Sequence, residues 1–318
     1  MGVQLQDKMK ALLQNGAGVN LFFALKDGDD VVIKRADLAS GDTQKNLVRQ
    51  FISLLEEEFV DVEEVQVREL SETDDRRNVL YHYDFDEFPE SLNYFSEFDY
   101  KKSYETFSFK EDDLSKLDAY LIVLGSQEQY CVLYKKFYPV FLIGRGSFFL
   151  MKAKRRFEEF NEDILRVSRD YQLLMLDEDI YVRDLKVLEK FGGFKAIIEK
   201  EAEAAVAEIG NMGLLEEPEI LSETLKADVT FARKLGRVRK TSPVLKLKIP
   251  NEQVIAFSNT HPGIKGKLKY SEKGDKILLT TKKSQDLFIR LLDDSYLTSE
   301  LTKQYYASLS KENVTEEK

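Results

Sequence analysis

Residues 119–152 constrain the fold most tightly. The apolar runs "AYLIVL", "QYCVLYKKF", "PVFLIG" and "SFFLMK" follow one another with only turn residues between them, among them Gly125, Ser126, Pro139, Gly144 and Gly146. Strands so closely spaced leave no room for the long crossover that a parallel pair needs, so the stretch reads as an antiparallel sheet. Hairpin signals recur elsewhere. "VNLFFALK" and "VVIKRADL" flank the acidic turn "DGDD", and "YQLLMLDEDIYVRD" repeats the strand, acidic turn, strand pattern, a hint of two related halves. "VEEVQVREL" and "NVLYHYDF" alternate as strands do.

Helical spacing appears between these runs. Residues 2–14 place Leu5, Met9, Leu12 and Leu13 on one stripe, and residues 43–59 do the same with Leu47, Phe51, Leu54, Leu55 and Phe59, with Thr43 as the expected N-cap. From Leu185 a helical pattern runs to a stop at Gly210, punctuated by Gly192 and Gly193. Short helices follow over residues 212–246, then a hairpin in "GKLKYSEKGDKILLTTK". A closing helix breaks near Asp293 and Asp294 and resumes as a second helical piece, ahead of a polar tail. Without βα alternation a doubly wound sheet is disfavoured. The expected class is α+β: a mostly antiparallel sheet built from hairpins with flanking helices, plus a helix-rich basic C-terminal part. The expected division is an acidic α+β domain over 1–210 and a basic helical and hairpin region over 211–318.

Composition narrows the function. Hydrophobic residues make up 43% and charged residues 33%, the balance of a folded chain, and no apolar run approaches the length that spans a bilayer. The N-terminus lacks a secretory pattern, and Gln6 breaks a myristoylation pattern, so the expected location is the cytosol unless a partner draws the chain to a membrane. Cys131 is the one cysteine, which rules out an intrachain disulfide and a cysteine-based zinc site. His82 and His261 are the only histidines, so any catalytic device that needs imidazole must use one of them. His82 sits in a strand-like run and His261 in the turn-like "SNTHPGIKGK", the better placed of the two.

Net charge is −10, but it is unevenly spread: −18 over residues 1–225, +11 over 226–290 and −3 over 291–318. A strongly basic segment inside an acidic protein points to a polyanion. The competing reading is that it docks on acidic surface of the same chain, of a second copy or of a partner. Three patches carry the charge: Arg233, Lys234, Arg237, Arg239 and Lys240 on or after a helix; Lys246 and Lys248, alternating with apolar residues; and Lys265, Lys267 and Lys269, alternating likewise, with Lys282 and Lys283 closing the hairpin. Strand alternation would put each lysine set on one face. Few aromatics interleave, so backbone-directed binding of duplex DNA fits better than single-strand stacking. Lys152, Lys154, Arg155 and Arg156 form a second group, followed closely by Glu158 and Glu159.

Other chemistry has weaker support. "NGAGVN" and "GRGSFF" complete neither GxGxxG nor a Walker A pattern. A metal-dependent nuclease would need clustered carboxylates, and the densest group is Asp177, Glu178, Asp179 and Asp184 with Lys186, which a solvent-facing hairpin turn also explains. The acidic, aromatic stretch 84–113 is either core or a partner-facing segment. No catalytic residue, metal or cofactor is assigned.

The stretch "FYPVFLIGRGSFFLMKAKRRF", followed by "LLMLDEDIYVRDLKVLEKFGGF" and, near the C-terminus, "TTKKSQDLFIRLLDDSYLTSELTKQYY", resembles the KwaB family of the Kiwa anti-phage system. The resemblance implies a DNA-binding, self-associating protein, a homodimer or higher oligomer that impedes invading phage DNA. It also implies recruitment to the inner membrane by a small membrane protein of the same system, KwaA-like, and it carries over no catalytic residue.

Overall fold

The computed structural model describes residues 1–14, 18–28, 30–38, 41–72, 79–138, 142–143, 150–153, 156–159, 164–191, 193–299 and 301–307. The chain forms two compact units, Met1–Gly193 and Phe194–Lys318; the helix 194–211, which the sequence reading put at the close of the first part, lies in the second. The class is α+β, with a mostly antiparallel sheet.

The first unit opens with α1 (Gly2–Gln14), the hairpin β1 (Gly18–Asp27) and β2 (Asp30–Arg35), and α2 (Asp42–Leu55), which runs into a wider turn over Glu56–Val60. Gly41 occupies the N-cap of α2, two residues ahead of the expected Thr43. Then come β3 (Val67–Glu69), β4 (Leu80–His82), the single-turn α3 (Asn93–Ser96), β5 (Leu117–Gly125) and β6 (Tyr130–Lys136). The short strands β7 (Leu142–Ile143), β8 (Leu150–Ala153), β9 (Arg156–Glu159) and β10 (Ile164–Leu165) precede the hairpin β11 (Leu173–Leu176) and β12 (Asp179–Val182).

Eight strands form one sheet in the order β2-β1-β5-β6-β11-β12-β4-β3. All its pairings are antiparallel except β3 with β4. The four runs of 119–152, expected from their spacing to form one antiparallel sheet, do not all join this one. β5 and β6 pair at its centre, but β7 pairs with β10 and β8 with β9 in two-stranded ladders, and β11 takes the place beside β6.

The central strands are apolar on both faces, as strands buried on both sides must be. One face presents Val19, Leu21 and Phe23 of β1, Tyr120, Ile122 and Leu124 of β5, Cys131 and Leu133 of β6, and Leu174 and Leu176 of β11. Leu5, Met9 and Leu12 of α1 and Phe51, Leu54 and Leu55 of α2 close over it. Phe22, Leu121, Val123, Val132 and Tyr134 alternate with these residues and are equally buried. The segment after β4 covers them. Phe98 and Tyr104 meet Phe22 edge-on at 5.2 and 5.3 Å, and Phe95 meets Tyr134 at 5.3 Å. Of the aromatics in the acidic stretch 84–113, Phe95, Phe98 and Phe107 are buried in the core, Phe85, Phe88, Tyr94, Tyr100 and Tyr104 are half-buried, and Phe109 is 80% exposed.

The Tyr94 and Tyr134 hydroxyls at this core are hydrogen-bonded. Tyr94 donates to Asp118 at 2.9 Å, and Lys136 bonds the other carboxylate oxygen. Burial raises the Tyr94 and Tyr134 hydroxyls far above the ordinary phenol range, so both stay neutral donors.

The second unit holds α4 (Phe194–Asn211), α5 (Glu219–Ala227), α6 (Val229–Thr241), α7 (Pro243–Lys246), α8 (Asn251–Thr260), the hairpin β13 (Lys269–Tyr270) and β14 (Ile277–Leu278), α9 (Lys282–Leu292), and a last hairpin β15 (Tyr296–Thr298) and β16 (Tyr305–Ala307). α6 packs against α4, α5 and α9. The expected second helical piece after Asp294 is this last hairpin. Its β-branched and aromatic residues (Tyr296, Thr298, Tyr305, Tyr306) pair across a turn at Lys303, whose φ is +56°. The loops at "NGAGVN" and "GRGSFF" fall largely outside the described residues, as does the tail from residue 308.

Cys131 tests the core directly. Burial pushes its thiol up to about 12, so a disulfide-exchange reagent at pH 8 is expected to leave the native protein unlabelled and to react fully after denaturation. Phe51→Ala, at a position with no exposed surface, is expected to cost about 3–5 kcal/mol in denaturant unfolding.

Candidate nucleic-acid interface

Asp228 starts α6: its carboxylate accepts from the backbone N–H groups of Thr230 and Phe231 at 3.0 and 3.2 Å. Phe231, Ala232, Leu235 and Val238 then bury one side of the helix. The cations between them are half-buried, and a half-buried cation needs a partner. Lys234 meets Asp286 at 2.8 Å, Arg237 meets Asp293 at 3.0 Å, and Arg239 meets Glu201 at 2.9 Å and Glu208 at 3.6 Å. Arg233 and Lys240 are half-buried on the same helix and have interactions of their own. Lys234, Arg237 and Arg239 of the α6 patch are thus neutralised by carboxylates of α4 and of the α9 region inside one unit.

The remaining lysines are placed differently. Lys246 ends α7, where Ser242 caps the turn through the Leu245 N–H and Pro243 stands at the first helical position. Lys248 follows with φ +51°. The alternation read over 245–249 therefore gives no strand, because the Ser-Pro start signal outweighs it. Lys265 and Lys267 lie in the turns after His261, and of that set Lys269 alone is on a strand. Lys282 and Lys283 open α9 rather than close the hairpin. All seven are exposed. Lys282 is bonded to Asp228, and Lys267 donates to the Gly263 carbonyl at 2.7 Å. Lys246, Lys248, Lys265, Lys269 and Lys283 have no ion pair among the described residues.

His261 anchors the lysine-bearing turn. It is 4% exposed. Its Nδ1 accepts from the Gly263 N–H at 3.1 Å, which leaves Nε2 facing the Leu297 carbonyl at 3.5 Å. The ring stacks on Phe257 and meets Tyr296 and Tyr305. This is a structural histidine. His82, on β4, places Nδ1 2.8 Å from Glu69 and Nε2 3.4 Å from Asp179.

The acidic group is a hairpin turn. Asp177 adopts φ +57° and pairs with Lys8 at 2.7 Å, with Asp179 at 3.9 Å from the same lysine. Asp184 instead accepts from Gln172 and from the Lys186 N–H. Among the described residues no group of three His, Cys, Asp or Glu side chains could hold a metal ion. In the second basic group Lys152 and Arg156 lie on the paired strands β8 and β9, while Lys154 and Arg155 fall outside the described residues.

One feature has no signal in the sequence. A cleft of about 760 Å³ in the first unit is lined by Glu58, Val65, Tyr171 and Arg183 among others. Tyr171 donates to Glu58 at 2.7 Å, and Arg183 pairs with Glu58 and lies 4.9 Å over the tyrosine ring. These partners are far apart in the chain, so no local pattern announces them.

Comparison with known proteins identifies relatives of the chain. The family described as Kiwa protein KwaB-like matches residues 114–302. The Kiwa protein KwaB of Escherichia coli O55:H7 is 27% identical over 317 residues, covering 98% of this chain and 99% of its own. No solved structure matches.

The two classes of cation should separate in stability. Arg237→Ala removes the cation from half-buried Asp293 and is expected to cost about 1–3 kcal/mol, whereas Lys265→Ala and Lys269→Ala stay within about 0.5 kcal/mol of the parent. Lys282 holds the Asp228 carboxyl below its ordinary range. A depressed carboxyl stabilises the fold above its unfolded pKa and loses that contribution as pH falls. The stability gap between the parent and Asp228→Ala, about 1 kcal/mol near neutrality, should therefore narrow below about pH 4.

Proposed function

Because the chain belongs to the Kiwa protein KwaB-like family, and is thereby a component of Kiwa anti-phage defence, we propose that it is the subunit that binds duplex DNA, without cleaving it, and so impedes phage DNA replication or expression. The observation that carries the reading is the set of exposed lysines at Lys246, Lys248, Lys265, Lys267, Lys269 and Lys283, in one compact unit and within the one basic stretch of an acidic chain. Phosphates take long, solvated lysines on turns well, and such contacts carry no sequence information. On this reading Arg233, Lys234, Arg237, Arg239 and Lys240 serve mainly to build the helical scaffold, with Lys282 divided between Asp228 and the ligand.

Assembly is part of the proposal. Among the described residues no helix is long and apolar enough to cross a membrane. Recruitment to the inner membrane is assigned to a small membrane protein of the same system, KwaA-like, and the chain acts as a homodimer or higher oligomer.

The test is a titration of a blunt DNA duplex at several salt concentrations. Six phosphate contacts imply a loss of roughly 10³-fold in affinity between 50 and 200 mM salt. Changing those six lysines to glutamate is expected to abolish binding while the melting temperature holds. A folded variant that binds like the parent would remove the basis for the reading, and magnesium-dependent cutting of the duplex would replace it with a nuclease.

A further inference from the structure

The last hairpin carries exposed apolar surface that the fold of the second unit does not use. β15 and β16 pair Tyr296 with Ala307, Leu297 with Tyr306 and Thr298 with Tyr305. Directly opposed residues of an antiparallel pair share a face, and faces alternate along each strand. Tyr296 and Tyr305 both reach the His261 ring, at 5.4 and 5.0 Å, so their face is the inner one. Leu297 and Tyr306 form the outer face, 36% and 48% exposed, and Leu301 in the connecting turn is 93% exposed. Tyr305 itself keeps 55% of its surface in solvent at the hairpin's edge.

Lysines lie on the hairpin turn and on the turn that the hairpin leans against. Lys303 sits exposed in the hairpin turn. Tyr305 leans on His261, the first residue of the turn that carries Lys265 and Lys267. No carboxylate lies between Leu301 and Ala307. Rings with free faces beside lysines are the parts of a platform on which unpaired bases stack while the backbone is neutralised.

We propose that Tyr306, over Leu297, and Tyr305, braced by His261, stack unpaired bases, so that the chain prefers DNA carrying a single-stranded segment over a blunt duplex. The proposal rests on the DNA-binding reading above and adds the form of DNA that is favoured. Lysines alone cannot make this distinction, because both forms offer phosphates. The tyrosines supply it, since in a blunt duplex almost every base face is already stacked.

The experiment compares the full chain on three probes at one salt concentration: a blunt duplex, the same duplex with a single-stranded thymidine tail, and the tail alone. The tail is expected to raise duplex affinity about tenfold. Tyr306→Ala and Tyr305→Ala should each shrink that gain, and the double variant should remove it, with blunt-duplex affinity unchanged. Tyr306→Phe and Tyr305→Phe, which keep the ring, should retain it. Oligomeric state is measured on every variant. A tail that adds nothing, or a gain that survives the double alanine variant, overturns the proposal while leaving the duplex reading intact. So does a double variant that changes oligomeric state without changing tail preference, which would make this face a contact between copies. If the parent binds no probe, both readings fall together.

Discussion

The structure of the first unit depends on the double burial of its sheet. β5 is the clearest case: from Ala119 to Leu124 every side chain is at most 1% exposed, whichever face it takes. Such a strand cannot stand at a surface. Two covers are required, and the chain supplies them from different sources. On one face two amphipathic helices close over it; on the other a segment with little regular structure does so by stacking aromatic rings. The second solution explains why residues 84–113 combine so many aromatics with so many acids. The rings must face inward to replace a helix, and the carboxylates keep a loop-rich cover soluble.

The second unit follows the matching rule for charge. Cations on a packed helix cannot remain half-buried without partners, and α6 meets that need with carboxylates from α4 and the α9 region. Charges matched in this way do little outside the unit. What remains available for a polyanion is the excess, and it lies on turns and helix ends, where long side chains stay solvated. The +11 of residues 226–290 therefore overstates the charge left unpaired at the surface. Linear charge counting sums paired and unpaired lysines alike, and only the three-dimensional arrangement separates them.

How much could be read from the chain follows from how local each signal is. The hairpins β1–β2 and β11–β12, the helices α1 and α2 and the core positions Leu5, Met9, Phe51 and Leu54 are encoded by spacing within a few residues, and they are present. The neighbour of β6 is not local: β7 is adjacent in sequence, yet β11 pairs with β6 after an excursion of short ladders. Nor are the ion pairs local, since Arg237 and Asp293 are 56 residues apart. Lys246 and Lys248 show a third kind of failure. Their alternation with leucine is genuine, but a Ser-Pro helix start occupies the same residues, and only packing decides between the two.

The last hairpin shows what this means for function. Read as helix, "SYLTSELTKQYYAS" would distribute its tyrosines around an axis and offer no platform. Read as two strands, the same residues sort by parity: Tyr296 and Tyr305 go to the histidine, Leu297 and Tyr306 to solvent. A change of period from 3.6 to 2 thus converts an unremarkable amphipathic segment into an aromatic face beside a basic turn. His261 joins the two. It holds the lysine turn through Gly263 and supports the hairpin through Tyr296 and Tyr305. A histidine in a turn-like stretch of sequence thereby contributes as a buried structural pin between the lysine-bearing turn and the hairpin.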